Sequence, residues 1–197
     1  VGVVSRFNQN PGIPHWNAVK RIFKYLKRTS NYKIVFKQSG NEQPVGYCDS
    51  DWAGDEDNSK STAGYIFMLA GGAVSWASKK QTVIALSTCE AEYMTLTLAA
   101  QEAIWIKELL NELFPNSTEA IKIFCDNQGA IDLSKTGKYK TRTKHIRIRY
   151  HFIRECISNG DVRISKIETE NQIADYLTKV LSKQKFKRCT DQIISNV

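Results

Sequence analysis

Four acidic residues in this chain stand where an apolar run stops or a helix starts. In VGYCDSDWAGD, residues 45–55, Val45 and Tyr47 alternate with smaller residues as in a strand, and Asp49 lies at its end. Asp51 falls on the same face, because strand side chains repeat every two residues. In ALSTCEAEYMTL, Glu92 heads a stripe of Thr95, Leu96, Ala99 and Ala103 that helical spacing turns toward a core. Asp126 closes the apolar run IKIFC, and Asp175 follows Ala174 in NQIADYLTK. Burying a lone carboxylate is costly unless it is paired or bound to metal. Four acids without a basic partner in their local sequence would raise one another's pKa, and divalent cations remove that conflict. Hard oxygen donors point to magnesium, with manganese able to substitute. Two ions about 4 Å apart can lower the pKa of an attacking water and stabilise a leaving 3′ oxygen on a phosphodiester. Each acid also has an ordinary reading, since aspartates are common in turns and at helix starts. Asp51 reads as a turn residue and Glu90 as a cap, while Glu168 and Glu170 compete with Asp175.

The elements that must carry these acids follow from periodicity. Residues 14–29 read as an amphipathic helix with Trp16, Val19, Ile22, Phe23 and Leu26 on one side. Strands are expected at 32–37, 45–49, 62–69 and 73–78, with Gly71-Gly72 as the tight turn between the last two. A long helical region runs from about 88 to 114, with Ser87 and Glu90 as a capping box, room for a bend near 101–104, and Pro115 beyond its end. Then come a strand at 121–125, a short helical stretch, a helix at 143–158, a strand at 162–167, and a last helix entered by a second capping box, Thr169 and Gln172. The final fifteen or so residues are polar and suggest no element. This order implies one mixed sheet flanked by helices.

The 197 residues allow one domain with a large core or one domain plus an extension. We expect a connecting segment at 1–40, a main domain at 41–182 and a polar tail at 183–197. A chain that starts with Val is expected to be cut from something longer. No apolar run reaches the roughly 18 residues of a membrane span. The five cysteines are scattered, which suggests reduced, mostly buried thiols and an intracellular setting. The net charge is +8 and unevenly placed. Residues 1–40 contain Lys and Arg but no acid, and so do residues 135–154, with Lys135, Lys138, Lys140, Arg142, Lys144, Arg147, Arg149 and Arg154. Basic blocks around an acidic spot suit a polyanion held over a metal site.

The stretches VGYCDSDWAGD, KSTAGYIFMLAGGAVSWASKKQ, ALSTCEAEYMTL, IFCDNQGAI, RTKHIRIRYHFIRE and NQIADYLTK, in this order, resemble the ribonuclease H domain of copia-type LTR retrotransposon Pol polyproteins. Residues 5–30 resemble the segment that links the reverse transcriptase to that nuclease. The resemblance implies an α/β ribonuclease H-like fold: a five-stranded mixed sheet flanked by helices, here with an N-terminal helical and strand extension. It implies two-metal cutting of the RNA strand of RNA–DNA hybrids, leaving 5′-phosphate and 3′-hydroxyl ends, with Asp49, Glu92, Asp126 and Asp175 as the catalytic metal ligands. It also implies a reverse transcriptase domain of the same polyprotein as partner, no membrane, and a cytoplasmic location within virus-like particles.

Two departures stand out. The histidine that many ribonucleases H carry before the last helix is missing from SKIETENQIAD, and Arg147 stands where relatives commonly have an acid. For the substrate, Lys140, Arg142, Lys144 and His145 are candidates to hold phosphates. Asn127 and Gln128, beside Asp126, and Ser50, beside Asp49, are candidates to meet the 2′-hydroxyls that distinguish RNA. Trp52 and Trp76 are candidates for stacking or for the core. The competing readings are a non-catalytic nucleic-acid-binding or structural module of a polymerase, and a different nuclease such as an integrase or resolvase.

Overall fold

The computed structural model describes residues 1–37, 43–55, 57–115, 119–136 and 144–196; at positions 136, 144–147, 150 and 196 it describes the backbone alone. A short α1 (Gly2–Ser5) precedes α2 (Ile13–Arg28), then β1 (Tyr32–Lys33). Next come β2 (Val45–Ser50), β3 (Thr62–Leu69) and β4 (Gly72–Lys80), followed by α3 (Thr88–Leu113). The rest is β5 (Ile121–Cys125), α4 (Gln128–Thr136), α5 (Lys144–Ser158), β6 (Val162–Lys166), a 3₁₀ turn at Thr169–Asn171, α6 (Asp175–Thr178), α7 (Lys183–Ile193) and β7 (Ser195–Asn196).

Five strands form one mixed sheet in the order β4-β3-β2-β5-β6. The β2–β3–β4 meander is antiparallel, while β5 runs parallel to β2 and β6 parallel to β5. Parallel neighbours put the ends of β2 and β5 side by side, so Cys48 pairs with Cys125 and the next residues, Asp49 and Asp126, leave the same edge of the sheet. The loop between β3 and β4 is Ala70-Gly71, both at positive φ, and Gly72 already belongs to the strand. Two such residues match the right-handed twist of a hairpin.

The sheet is covered on both faces. On one, α3 lays Leu96, Ala99, Ala100 and Ala103 over Cys48, Phe67, Ile123 and Cys125, all fully buried. Small residues let the helix backbone come close to the strands, and α3 runs unbroken past 101–104. On the other face, Ile173 and Ala174 before α6 and Ile193 of α7 pack against Ile66 and Ala73. The last residues, for which the sequence pattern suggests no element, therefore supply a helix that closes the second layer.

Two elements differ from expectation. The extended stretch after Tyr32 forms a ladder only at Tyr32 and Lys33, whose partners are Asn196 and Ser195. Beyond it, Phe36 and Ile34 lie against Gly72, and the Lys37 N–H donates to the Ala70 carbonyl at 2.7 Å, so the chain passes the hairpin without joining the sheet. The helix at 13–28 does form, yet none of its residues is buried, and Trp16, Phe23 and Leu26 are exposed.

Candidate active site

The carboxylates of Asp49, Glu92 and Asp126 present one oxygen each within 4.8 Å of one another. Asp49 comes from β2 and Asp126 from the residue after β5. Glu92 comes from the first turns of α3, which the Ser87 hydroxyl caps by accepting the Glu90 N–H. Glu90 is itself buried and turns back to accept the Leu86 N–H at 2.8 Å, so it is a cap and not a member of the cluster. Asp51 accepts the Thr62 N–H and stitches the turn after β2. Both rivals thus have structural partners.

Of the three acids, Glu92 is the poorly compensated one without a cation. Glu92 is buried; one oxygen accepts the Ser50 N–H at 3.4 Å and the other has no hydrogen-bond partner. Burial, and then the charges of Asp49, Cys125 and Asp126, push its carboxyl up to about 10. Burial also raises Asp49 to about 6, against the lowering effect of Lys179 and of the Thr178 hydroxyl, which donates to it. Three hard-oxygen acids, Asp49 and Glu92 buried and Asp126 half-buried, with one orphaned Glu92 oxygen, fit a divalent cation of the magnesium type.

Asp175 has different company. It is fully buried at the start of α6, and its carboxylate pairs with Lys179 at 2.9 Å and with Lys185 of α7. Lys179 also lies 3.5 Å from Asp49. The expectation that the four acids lack basic partners nearby is therefore corrected: Lys179 stands four residues after Asp175, on the same side of a helical turn. Nor do Thr169 and Gln172 form a capping box. The Thr169 hydroxyl donates to Asp126 Oδ2 at 2.9 Å, and its carbonyl accepts from Lys185 at 2.9 Å. Gln172 is fully buried; its amide donates to the Cys48 carbonyl at 2.9 Å and accepts the Ala174 N–H at 3.2 Å. Lys166 donates to the Asp126 carbonyl.

Around the cluster, Ser50 is buried and its N–H serves Glu92. Asn127 caps α4 through the Ala130 N–H at 2.9 Å, and the exposed Gln128 donates to Asp132 at 2.8 Å. Trp52 is half exposed, with its indole N–H on the Ala85 carbonyl at 3.1 Å; Trp76 is exposed on β4 and not in the core. Lys140 and Arg142 lie outside the described residues, and Lys144 and His145 open α5 with backbone alone described. The five cysteines are free thiols, four of them buried.

The Pol polyprotein of the tobacco (Nicotiana tabacum) transposon TNT 1-94 is 48% identical over 98% of this chain, and that of the Arabidopsis thaliana transposon RE1 is 40% identical over a like share. This chain is a ribonuclease H-like domain closely related to copia-type LTR retrotransposon Pol polyproteins. It spans only 14% and 13% of those two relatives. No family model matches it. Among solved structures, LC11-RNase H1 in complex with an RNA/DNA hybrid is similar in fold, with TM-score 0.51 and 15% identity over 69% of this chain and 94% of that one. The fold is ribonuclease H-like, and the acidic cluster of Asp49, Glu92 and Asp126 could hold a divalent metal. Among the described residues, no helix is long and apolar enough to cross a membrane.

Proposed function

We propose that this domain hydrolyses the RNA strand of RNA–DNA hybrids during retrotransposon reverse transcription, leaving 5′-phosphate and 3′-hydroxyl ends. The observation that carries the reading is the convergence of Asp49, Glu92 and Asp126, drawn from three distant parts of the chain, within 4.8 Å. These three would hold divalent ions, magnesium or manganese, with Asp175 as the fourth acid at the Asp49 side. When bound, such ions supply an activated water and stabilisation of the leaving oxygen. The chain's own part is to fix the acids: Thr169 orients Asp126, Thr178 orients Asp49, and the Ser50 N–H holds Glu92.

Ser50, Asn127 and Gln128, sequence neighbours of Asp49 and Asp126, would meet ribose hydroxyls, while Lys140, Arg142, Lys144 and His145 would grip phosphates farther along. The reverse transcriptase domain of the same polyprotein is the partner this reading requires, and the exposed apolar side of α2 is suited to it. The setting would be cytoplasmic, within virus-like particles.

The test is a substrate panel of RNA–DNA hybrid, duplex RNA, duplex DNA and single strands, each with magnesium or with EDTA. Hybrid alone should be cut, with magnesium only, and Asp49→Asn should lower the rate by about a hundredfold to a thousandfold while leaving the circular dichroism unchanged. Binding of hybrid without cutting by the unaltered chain would mark a non-catalytic module, and cutting of duplex DNA would mark an integrase-like or resolvase-like enzyme.

A further inference from the structure

The lysine between Asp49 and Asp175 has no role in the reading above. Its ammonium lies 2.9 Å from Asp175 and 3.5 Å from Asp49. Both carboxylates are shut off from solvent, at 0% and 1% exposure, whereas the Lys179 side chain is 38% exposed. Lys179 caps the end of α6, where its own N–H donates to the Asp175 carbonyl at 3.1 Å. Lys185, also with two partners, Asp175 and the Thr169 carbonyl, is less exposed, at 22%.

Counting charges shows what this arrangement permits. Four ionised carboxylates beside three ammonium groups, those of Lys179, Lys185 and the Lys166 that donates to the Asp126 carbonyl, leave one negative charge, so one divalent ion at Asp49, Glu92 and Asp126 already tips the site positive. A second divalent ion would raise the excess to three positive charges, unless an ammonium withdrew. Of the two ammonium groups on Asp175, Lys179 is the more exposed. Removing it lowers the excess to two positive charges, which an arriving phosphodiester reduces further.

We propose that Lys179 is a built-in counter-cation that occupies the Asp49–Asp175 side of the cluster and yields its place to a second divalent ion. The proposal rests on the cluster being a metal site. It makes the domain a tight binder of one ion and a weak binder of the next, with the second site coupled to the arrival of phosphate.

Metal binding, measured without nucleic acid, tests this. Free Mn²⁺ followed by electron paramagnetic resonance should show one tight ion and one weak ion on the unaltered chain. In Lys179→Gln the second ion should bind at least about tenfold more tightly, since a unit charge a few ångströms away is lost, whereas Lys179→Arg should keep the original pattern. An unchanged second affinity in a folded Lys179→Gln would make this a permanent structural ion pair and overturn the proposal. The unaltered chain gives an independent readout through a lysine-acylating reagent and mass spectrometry. Modification of Lys179 should rise with magnesium while Lys185 stays protected, and continued protection of Lys179 at saturating magnesium would overturn the proposal on its own. Asp49→Asn separates the two readings: if it takes up as much Mn²⁺ as the unaltered chain, the metal site itself is wrong. A normal loss of Mn²⁺ in that variant beside unaltered Lys179 results would remove only the role given to the lysine.

Discussion

At the scale of single residues, the acids should govern how the protein responds to pH. The carboxyls of Asp49 and Glu92 are raised in the folded chain to about 6 and about 10, from ordinary values of 3.8 and 4.5. Between each pair of values the unfolded chain has given up a proton that the folded chain keeps. Stability is then complete below the ordinary values and falls as pH rises through the folded ones. In EDTA, the melting temperature should drop from about pH 4 to pH 6 on account of both acids, and more gently above that on account of Glu92. Magnesium should restore it, and Glu92→Gln should flatten the slope. Thermal unfolding across pH, with and without the metal, checks this; a melting temperature that climbs in EDTA over that range would contradict it. Asp49, Glu92 and Asp126 are legible in the sequence because each stands at a visible change of pattern. Thr169 and Gln172 are not, because their partners, Asp126 and Cys48, are 43 and 124 residues away. Lys179 could have been read, since a lysine four residues after an acid is a local signal.

At the scale of elements, the site depends on how closely the four-residue α6 approaches the sheet. Asp49 pairs across the ladder with Gly64 of β3. A Cβ at Gly64 would meet Thr178 Cγ2 at 2.6 Å and Leu177 Cβ at 2.9 Å. The missing side chain is what lets α6 settle here and bring the Thr178 hydroxyl to Asp49. Gly64→Ala should therefore push α6 away, at a cost of about 1–3 kcal/mol of overpacking, and should weaken metal binding while the rest of the sheet stays intact. Urea unfolding and Mn²⁺ titration would show this, and unaltered metal affinity would mean that Asp49 is positioned by β2 alone. The five core strands and the long helix follow from periodicity, whose signal grows with length. The 3₁₀ turn and α6 are each about one turn long, too short to display a period. In α7, Cys189 and Ile193 are the buried residues, too few to stand out in a polar stretch.

At the scale of the whole molecule, charge and hydrophobic exposure separate. The chain carries a net +8, and the side of α2 that bears Lys20, Arg21, Lys24 and Lys27 is free of acids. A hybrid held mainly through phosphates should lose affinity steeply with salt, by at least about a hundredfold between about 50 and 200 mM. Fluorescence anisotropy on a labelled hybrid measures this, and a flat salt response would remove the basic surfaces from substrate binding. The order in which the pieces meet has a further outcome. The hairpins of β2, β3 and β4 can form early in synthesis, but the Thr178 hydroxyl that reaches Asp49 is 129 residues downstream of it. A ribosome that has released the meander has made one acid of the centre and none of its companions. The cluster is complete only once β5 and α6 have followed, and a product ended after the meander would carry three of the five core strands and one of the acids.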